Sequence, residues 1–320
     1  MFRNHAFLTV ACFLLLSYTF PQGKSNKAFR IVPLGVKGGI DESNLSAYMV
    51  AAKGTTNYIC LDAGTLHYGI EKAISNKVFP APPERVIKEY IKGYLISHAH
   101  LDHVAGLIIN STDDTTKDIY ASASCIETLK TRYFTWEAWV NFADEGESPL
   151  LKKYHYEVIG YDSNIIIKNT GMELKAFSLS HSNLQSTAFL INNKDAYILY
   201  LGDTGDDETE NSHNLLELWN GIGDLVKAKK IKAIFIEVSY TNEQPVKQLF
   251  GHLTPALLIK EMNVLQGLSG EGVLKGLPVV ITHLKLFEKK EIEKLKTQLN
   301  KANNLGVKFI FAEQAKPLMF

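Results

Sequence analysis

The residues with the clearest capacity for chemistry lie in the segment SHAHLDHVAG at positions 97–106. His98 and His100 are two positions apart, so on an extended chain both imidazoles project to one side and can reach the same metal ion. Asp102 and His103 follow after a turn and would face a neighbouring position. Imidazole and carboxylate ligands suit zinc, and also manganese or iron. The segment therefore predicts a metal site.

Three more residues of ligand type stand at the ends of apolar runs elsewhere in the chain. His181 follows AFSLS, Asp203 lies in LGDTG, and His283 ends VVITH. One tight loop cannot surround two ions, and strand ends on one edge of a layered fold converge. We expect these three side chains to join the histidine-rich loop in a single site.

The elements that must position these residues are short strands and amphipathic helices. Strand-like runs include FRIVPLG, AYMVAA, NYICLDAG, GYLIS and DIYASAS, and later KNTGMELKAFSLSHS, STAFLINN, DAYILYLGDTG, IKAIFIEVSY, LPVVITHLK and VKFIFAE. Helical spacing is seen in PPERVIKEYI, CIETLKTRYFTWEAWVNF, NLLELWNGIGDLVKAKK, TPALLIKEMNVLQ and KKEIEKLKTQLNKAN. Two successions of strands flanked by helices predict an α/β body with helices outside two packed sheets. No linker-like composition divides residues 24–320, which we expect to form one domain.

The charge balance limits the partners. Lys plus Arg total 34 and Asp plus Glu total 34. A chain without net charge has no field to hold a nucleic-acid polymer by counterion release. A small anionic substrate stays compatible, because a bound metal ion supplies local positive charge.

The first 23 residues have the order of a signal peptide. A single early cation, Arg3, precedes an apolar stretch that is shorter than a membrane-spanning helix requires, and small and turn-forming residues follow. We expect a periplasmic or secreted protein with no membrane span after cleavage; an uncleaved anchor is the alternative. Cys60 and Cys125 then remain, and two buried free thiols are favoured over a single bridge.

Motifs in a fixed order carry a family resemblance. HAHLDHVAG, SLSH, LGDTG and ITH together resemble the metallo-β-lactamase superfamily over nearly the whole predicted mature chain. Within it, Leu101 inside HLDH, the opening VPLGVKGGIDESNLSAYMV, and the segments IEVSY and LFGHLTP are similar to the class II cyclic-nucleotide phosphodiesterases. The resemblance implies a four-layer αββα sandwich and hydrolysis of cAMP, cGMP or both to nucleoside 5′-monophosphates.

The resemblance also implies a division of the ligands between two ions. The ligands of the first ion are His98, His100 and His181. The ligands of the second are Asp102, His103 and His283, with Asp203 bridging. The family's usual metal is zinc, with manganese or iron(II) as alternatives, and two ions about 3.5–4 Å apart stabilise both oxygens of a displacement at phosphorus. A bridging hydroxide is then the expected nucleophile.

Three further residues take a role from the same resemblance. His252 in GHLTP and Glu237 at the preceding strand end match a pair found in phosphodiesterases of the superfamily. We expect His252 to donate a proton or hydrogen bond to the leaving 3′ oxygen or the phosphate, with Glu237 orienting it; Asp102 completes the predicted catalytic group. Asp62 in CLDAGT is expected to accept hydrogen bonds from the ligand loop. The alternatives are a capping role for His252 and an exposed strand end for Asp62.

Two features bear on substrate contacts. Asn183, close after His181, is a candidate for a polar contact to phosphate or base. Rings on a predicted helix are usually core residues, but a wall for purine stacking is the alternative for Tyr133, Phe134, Trp136 and Trp139.

Other functions stay open at this point. A tRNA-processing nuclease would share most site residues, but would carry a basic surface and usually glycine at the position of Leu101. A β-lactamase of the common zinc type has cysteine in place of Asp203, and a glyoxalase or lactonase leaves GHLTP unexplained. Outside the enzymes, the alternative is a module that binds metal or nucleotide without turnover. The oligomeric state is also open, a homodimer being one option.

Overall fold

The computed structural model describes residues 27–39, 41–161 and 163–320. The strands of the described ranges are, in chain order, β1 (Phe29–Gly35), β2 (Ala47–Ala52), β3 (Tyr58–Leu61), β4 (Ile91–Leu95), β5 (Lys117–Ala121), β6 (Tyr154–Val158), β7 (Asn164–Ile167), β8 (Met172–His181), β9 (Leu184–Asn193), β10 (Ala196–Leu201), β11 (Ile231–Glu237), β12 (Pro278–Thr282), β13 (Lys308–Phe311) and β14 (Leu318–Met319). They form two seven-stranded sheets, ordered β14-β1-β2-β3-β4-β5-β6 and β13-β12-β11-β10-β9-β8-β7. In each sheet a parallel part, β3 to β6 or β10 to β13, continues into an antiparallel part.

Helices connect the strands. They are α1 (His67–Ser75), α2 (Pro83–Arg85), α3 (Leu101–Asn110), α4 (Ala123–Thr128), α5 (Asp207–Glu210), α6 (Asn214–Lys227), α7 (Pro255–Ser269) and α8 (Lys289–Ala302). The π-helical turns Val86–Tyr90 and Leu129–Tyr133 extend α2 and α4. No helix in the described ranges is long and apolar enough to cross a membrane.

Successive side chains of a strand point to opposite faces of its sheet, and this alternation builds the layers. In β2, Met49 packs towards the helices of the first sheet, whereas Tyr48 and Val50 face the second sheet. The core between the sheets includes Tyr48, Tyr200 and Phe235, which contact one another through their rings. A further core lies where α6, α7 and α8 cover the second sheet. Helices therefore cover both outer faces, which is the predicted αββα sandwich.

Some local predictions need correction. The helix predicted from Cys125 to Phe142 ends at Tyr133, because the backbone turns at Phe134 and Trp136 adopts a positive φ of 64°. Three strands, β6, β7 and β14, were not predicted. Cys60 and Cys125 are both buried free thiols, as expected. The predicted signal peptide, residues 1–23, lies outside the described residues and stays a prediction.

Candidate metal centre

The predicted ligands stand just beyond the carboxyl ends of strands. β4 leads through Ser97 to His98, and α3 begins directly after His100. β8 ends at His181, Asp203 follows β10, and His283 follows β12. Strand ends at one edge of a layered fold present their loops to the same space. The carboxyl ends of four different chain segments therefore supply one cluster.

The cluster contains four overlapping groups whose ligand atoms lie within 4.8 Å of one another, and two of these, called triads here, share no residue. The other two groups join Asp203 to His98 and His103, and to Glu237, His252 and His283. The first triad is His98, His100 and His181. The second triad is Asp102, His103 and His283. These are the two sets that the family resemblance implied.

Asp203 lies between the triads and is almost fully buried. Its Oδ2 is 3.1 Å from His283 Nε2 and 3.9 Å from His98 Nε2, while its Oδ1 is 3.4 Å from His103 Nε2. Burial alone would raise the pKa of Asp203, but His283 and His103 outweigh that cost and hold it well below its ordinary value. The side chain is a carboxylate whose Oδ2 lies near residues of both triads and whose Oδ1 lies near His103 of the second.

The donor atoms fit divalent cations. His98 Nε2 and His103 Nε2 are buried and lack a hydrogen-bond partner, a costly state that an ion would relieve. Burial, followed by the charge of His103, holds the pKa of His98 well below its ordinary value, so its imidazole is neutral as a ligand must be. The residues present therefore make candidate metal-binding clusters of the type that accepts zinc.

Asp62 supports the ligand loop from below. Its Oδ1 accepts the Ser97 backbone N–H at 2.8 Å, and its Oδ2 accepts from Ser97 Oγ at 2.9 Å, from Tyr200 Oη at 2.6 Å and from His103 Nδ1 at 2.8 Å. The carboxylate is fully buried, which excludes the exposed alternative. Accepting from Nδ1 fixes the tautomer of His103 that leaves Nε2 free for a cation.

Replacing Asp62 by Asn should weaken zinc binding by about 10- to 100-fold, the usual cost of losing an outer partner of a ligand. Asn tolerates the positive φ of 50° at this position, so the change tests the charge more than the backbone. The measurement is the zinc dissociation constant from competition with a chelator. Asp113→Asn, at an exposed carboxylate paired with Lys88, is the matched control. Equal zinc affinity in both variants and the unmodified protein would contradict this role for Asp62.

A buried pair of ionisable residues, His252 and Glu237, lies beside Asp203. His252 Nδ1 is 2.7 Å from Glu237 Oε1 and 3.8 Å from Asp203 Oδ2. Glu237 also accepts from Ser239 Oγ at 2.6 Å and from the Thr204 backbone N–H at 3.0 Å. The buried carboxylate is thus fixed in place, and we assign the Nδ1 proton of His252 to the hydrogen bond that it donates to Glu237.

This pair is coupled electrostatically. Burial lowers the pKa of His252, but the Glu237 carboxylate outweighs it and the net shift is upward. Burial raises the pKa of Glu237, and the charge of His252 outweighs that in turn, so the net shift is downward. His252 is therefore disposed to be protonated next to a carboxylate, as a proton donor requires. Its position excludes the simple capping role considered from the sequence.

Comparisons with known proteins show the family of this chain. The family model for cAMP phosphodiesterases class-II matches residues 80–315, most of the chain. The chain belongs to the class-II cAMP phosphodiesterase family. It is 41% identical to the 3′,5′-cyclic-nucleotide phosphodiesterase of Aliivibrio fischeri over 334 aligned positions, which cover 100% of both chains.

Solved structures show the fold of this class-II family member. Unliganded yeast PDE1 superposes with a TM-score of 0.79 at 20% identity, covering 92% of this chain and 100% of the other. The metallo-beta-lactamase fold protein YhfI from Bacillus subtilis superposes with a TM-score of 0.62 at 14% identity, again covering 92% of this chain and 100% of the other. Both confirm the predicted fold class.

Several residues at the class-II site were not predicted from the sequence. Ser239 Oγ lies 3.1 Å from His283 Nδ1 and links that ligand to Glu237. The Gly39 backbone N–H donates to Asp102 Oδ2 at 2.8 Å, and a Cβ at Gly38 would fall 2.1 Å from the His283 ring. The glycine pair therefore lets the backbone approach the second triad closely. Lys285 was also missed; its Nζ lies 2.9 Å from His252 Nε2.

Asn183 lies on the rim of a cavity of about 360 Å³ next to the first triad. The cavity is lined by His98, Ala99, His100, Ser124, Cys125, Thr128, Asn183, Leu184 and Gln185. A larger cavity of about 670 Å³ between Lys130 and Glu147 includes no residue of the metal centre. The smaller cavity is therefore the one suited to a substrate of the site.

Three rings of the aromatic cluster pack in or against the core, whereas Trp136 is exposed. Phe134 is fully buried, and Trp139 packs against the first-sheet core with its Nε1 donating to Ser111 Oγ at 3.0 Å. Tyr133 Oη donates to the Ala99 carbonyl at 2.9 Å, bracing the ligand loop. None of the four rings lines the cavity beside His98, so the stacking wall is not supported.

Proposed function

We propose that this chain hydrolyses 3′,5′-cyclic nucleotides, cAMP, cGMP or both, to nucleoside 5′-monophosphates at a site that holds two zinc ions. The observation that carries the proposal is the pair of triads on either side of Asp203, with the Glu237–His252 pair beside them. Family membership supports the substrate class, since cyclic-nucleotide phosphodiesterases are the relatives found by sequence.

The first triad and Asp203 would hold one ion, and the second triad and Asp203 the other. Two divalent ions at such a site acidify water and withdraw negative charge from phosphoryl oxygens. Manganese or iron(II) could occupy the same donors, because imidazole and carboxylate do not discriminate strongly among these metals.

His252 would donate a proton to the leaving group. A proton delivered to the 3′ oxygen must come from Nε2, because Nδ1 donates to Glu237. Glu237 would orient the ring and stabilise its cationic form, and Asp102, whose Oδ2 accepts from the Gly39 N–H, would be a ligand of the second ion.

The cavity beside the first triad would receive the nucleoside part of the substrate. Its size of about 360 Å³ lies in the range typical of small-molecule sites. Asn183 offers an amide to the phosphate or base there, while Leu184 supplies apolar surface, with nearly half of its area exposed.

A substrate panel on zinc-loaded protein separates this function from its rivals. We expect rapid release of 5′-AMP or 5′-GMP from the cyclic nucleotides, and little or no turnover of precursor tRNA, nitrocefin or a glutathione thioester. Product identity by chromatography is the measurement. Bound metal without turnover of any substrate would favour a binding module, and release of 3′-monophosphates would contradict the proposed leaving group.

A further inference from the structure

Lys285 is fixed by its backbone next to the catalytic pair. Its N–H donates to the Ser239 carbonyl at 3.1 Å, and the preceding carbonyl, of Leu284, accepts from the Gly38 N–H at 3.3 Å. Its Nζ reaches 2.9 Å from His252 Nε2. The ammonium group therefore lies at the atom from which the leaving group would receive its proton.

The side chain has an unusual set of neighbours for a half-buried lysine. In the part of the chain that the structure describes, no carboxylate lies within 4.0 Å of the Lys285 ammonium, whereas Lys37 nearby is paired with Asp41 at 2.9 Å. Lys285 is also the only lysine or arginine of that part with a hydrogen bond or ion pair to a residue of the metal centre or the Glu237–His252 pair. The site holds one cation without an anionic partner.

When the metal ions are bound, the charge of Lys285 stays available to attract an anionic substrate. Four carboxylates, those of Asp62, Asp102, Asp203 and Glu237, surround the histidines. Two divalent ions would balance them, so the remaining positive charge is that of Lys285, together with that of His252 when its ring is protonated. A cyclic nucleotide carries one negative charge, on the phosphate that is cleaved.

We propose that Lys285 binds a non-bridging oxygen of the scissile phosphate. This inference rests on the proposed function for the identity of the anion. The Lys285 ammonium donates to His252 Nε2, so Nε2 carries no proton while that contact lasts. When the ammonium turns to the adjoining phosphoryl oxygen, Nε2 becomes free to take up the proton for the leaving group. The lysine is then a substrate-binding residue that stabilises charge as the phosphorus is attacked.

The test compares Lys285→Met, Lys285→Arg and the unmodified protein, all zinc-loaded. Calorimetric titration with inorganic phosphate measures binding without turnover, and kcat/KM is measured on cAMP and on bis(p-nitrophenyl) phosphate. We expect Lys285→Met to weaken phosphate binding and to lower both kcat/KM values by roughly 10- to 100-fold, the effect of one charge-assisted hydrogen bond. Lys285→Arg should recover part of the loss. Lys290→Met, at an exposed position of α8, is the matched control, and metal content and Tm confirm that the variants are folded.

The outcomes separate this inference from the proposed function. Unchanged phosphate binding in Lys285→Met overturns it, and if turnover falls all the same, Lys285 acts only by positioning His252. A protein that binds phosphate through Lys285 but leaves cyclic nucleotides intact would contradict the proposed function and retain the inference. An unmodified protein that binds no phosphate would contradict both.

Discussion

Asp203→Asn should lower kcat/KM for a cyclic nucleotide by about 10³-fold or more. That loss is larger than the effect of about 10- to 100-fold expected from replacing an outer partner of a ligand, such as Asp62. The carboxylate faces both triads, 3.1 Å from His283 Nε2 and 3.9 Å from His181 Nε2. An amide keeps the shape but supplies one neutral oxygen and places donor hydrogens where a cation should lie. One substitution thereby removes a ligand from both metal positions.

Metal analysis by mass spectrometry checks this expectation together with the kinetics. The unmodified protein should retain two zinc ions per chain after dialysis, and Asp203→Asn should retain fewer than one. Asp195→Asn is the matched control, because its carboxylate is exposed and pairs only with Lys230 among the described residues. Full zinc content with full activity in Asp203→Asn would refute the bridging position.

Much of the site could be predicted because its ligands follow apolar strands. The run GYLIS before His98 and the run VVIT before His283 are readable as buried strands, and ligand-type residues at several strand ends imply convergence. Asp62 and His252 needed the family resemblance as well, since a lone carboxylate or histidine has many ordinary uses. The structure brings all of these residues together.

The site residues that the sequence did not predict act through contacts between segments that lie far apart in the chain. Lys285 is 33 positions from His252, and nothing in its local sequence shows that their nitrogens meet. Gly38 acts through its closeness to the His283 ring, which only the finished topology determines. The edge strands β6 and β7 are short and partly exposed, so their apolar pattern is weak. The aromatic run predicts one long helix, but the helix ends at Tyr133 and only Phe134 of the four rings is fully buried.

His252→Ala should lower kcat for cAMP by about 10²- to 10⁴-fold while both metals stay bound, because it would remove the proposed general acid and none of the proposed metal ligands. The loss should shrink for bis(p-nitrophenyl) phosphate, whose leaving group departs as a stable anion and needs no proton. His213→Ala, at an exposed histidine before α6, controls for loss of an imidazole as such. Equal losses on both substrates would show that His252 binds the phosphate and does not protonate the leaving oxygen.

Glu237 determines the pH range over which the His252 ring is protonated. Burial lowers the pKa of His252, and Glu237 raises it by more, so the protonated ring persists to a higher pH than its ordinary value allows. Activity that depends on this proton is lost as the pH rises through the raised pKa. Glu237→Gln removes the negative charge, so the alkaline limb of the kcat profile should move to lower pH. A limb that stays in place would mean that another group, such as a metal-site water, sets it, and Glu237 would then serve only to orient the ring.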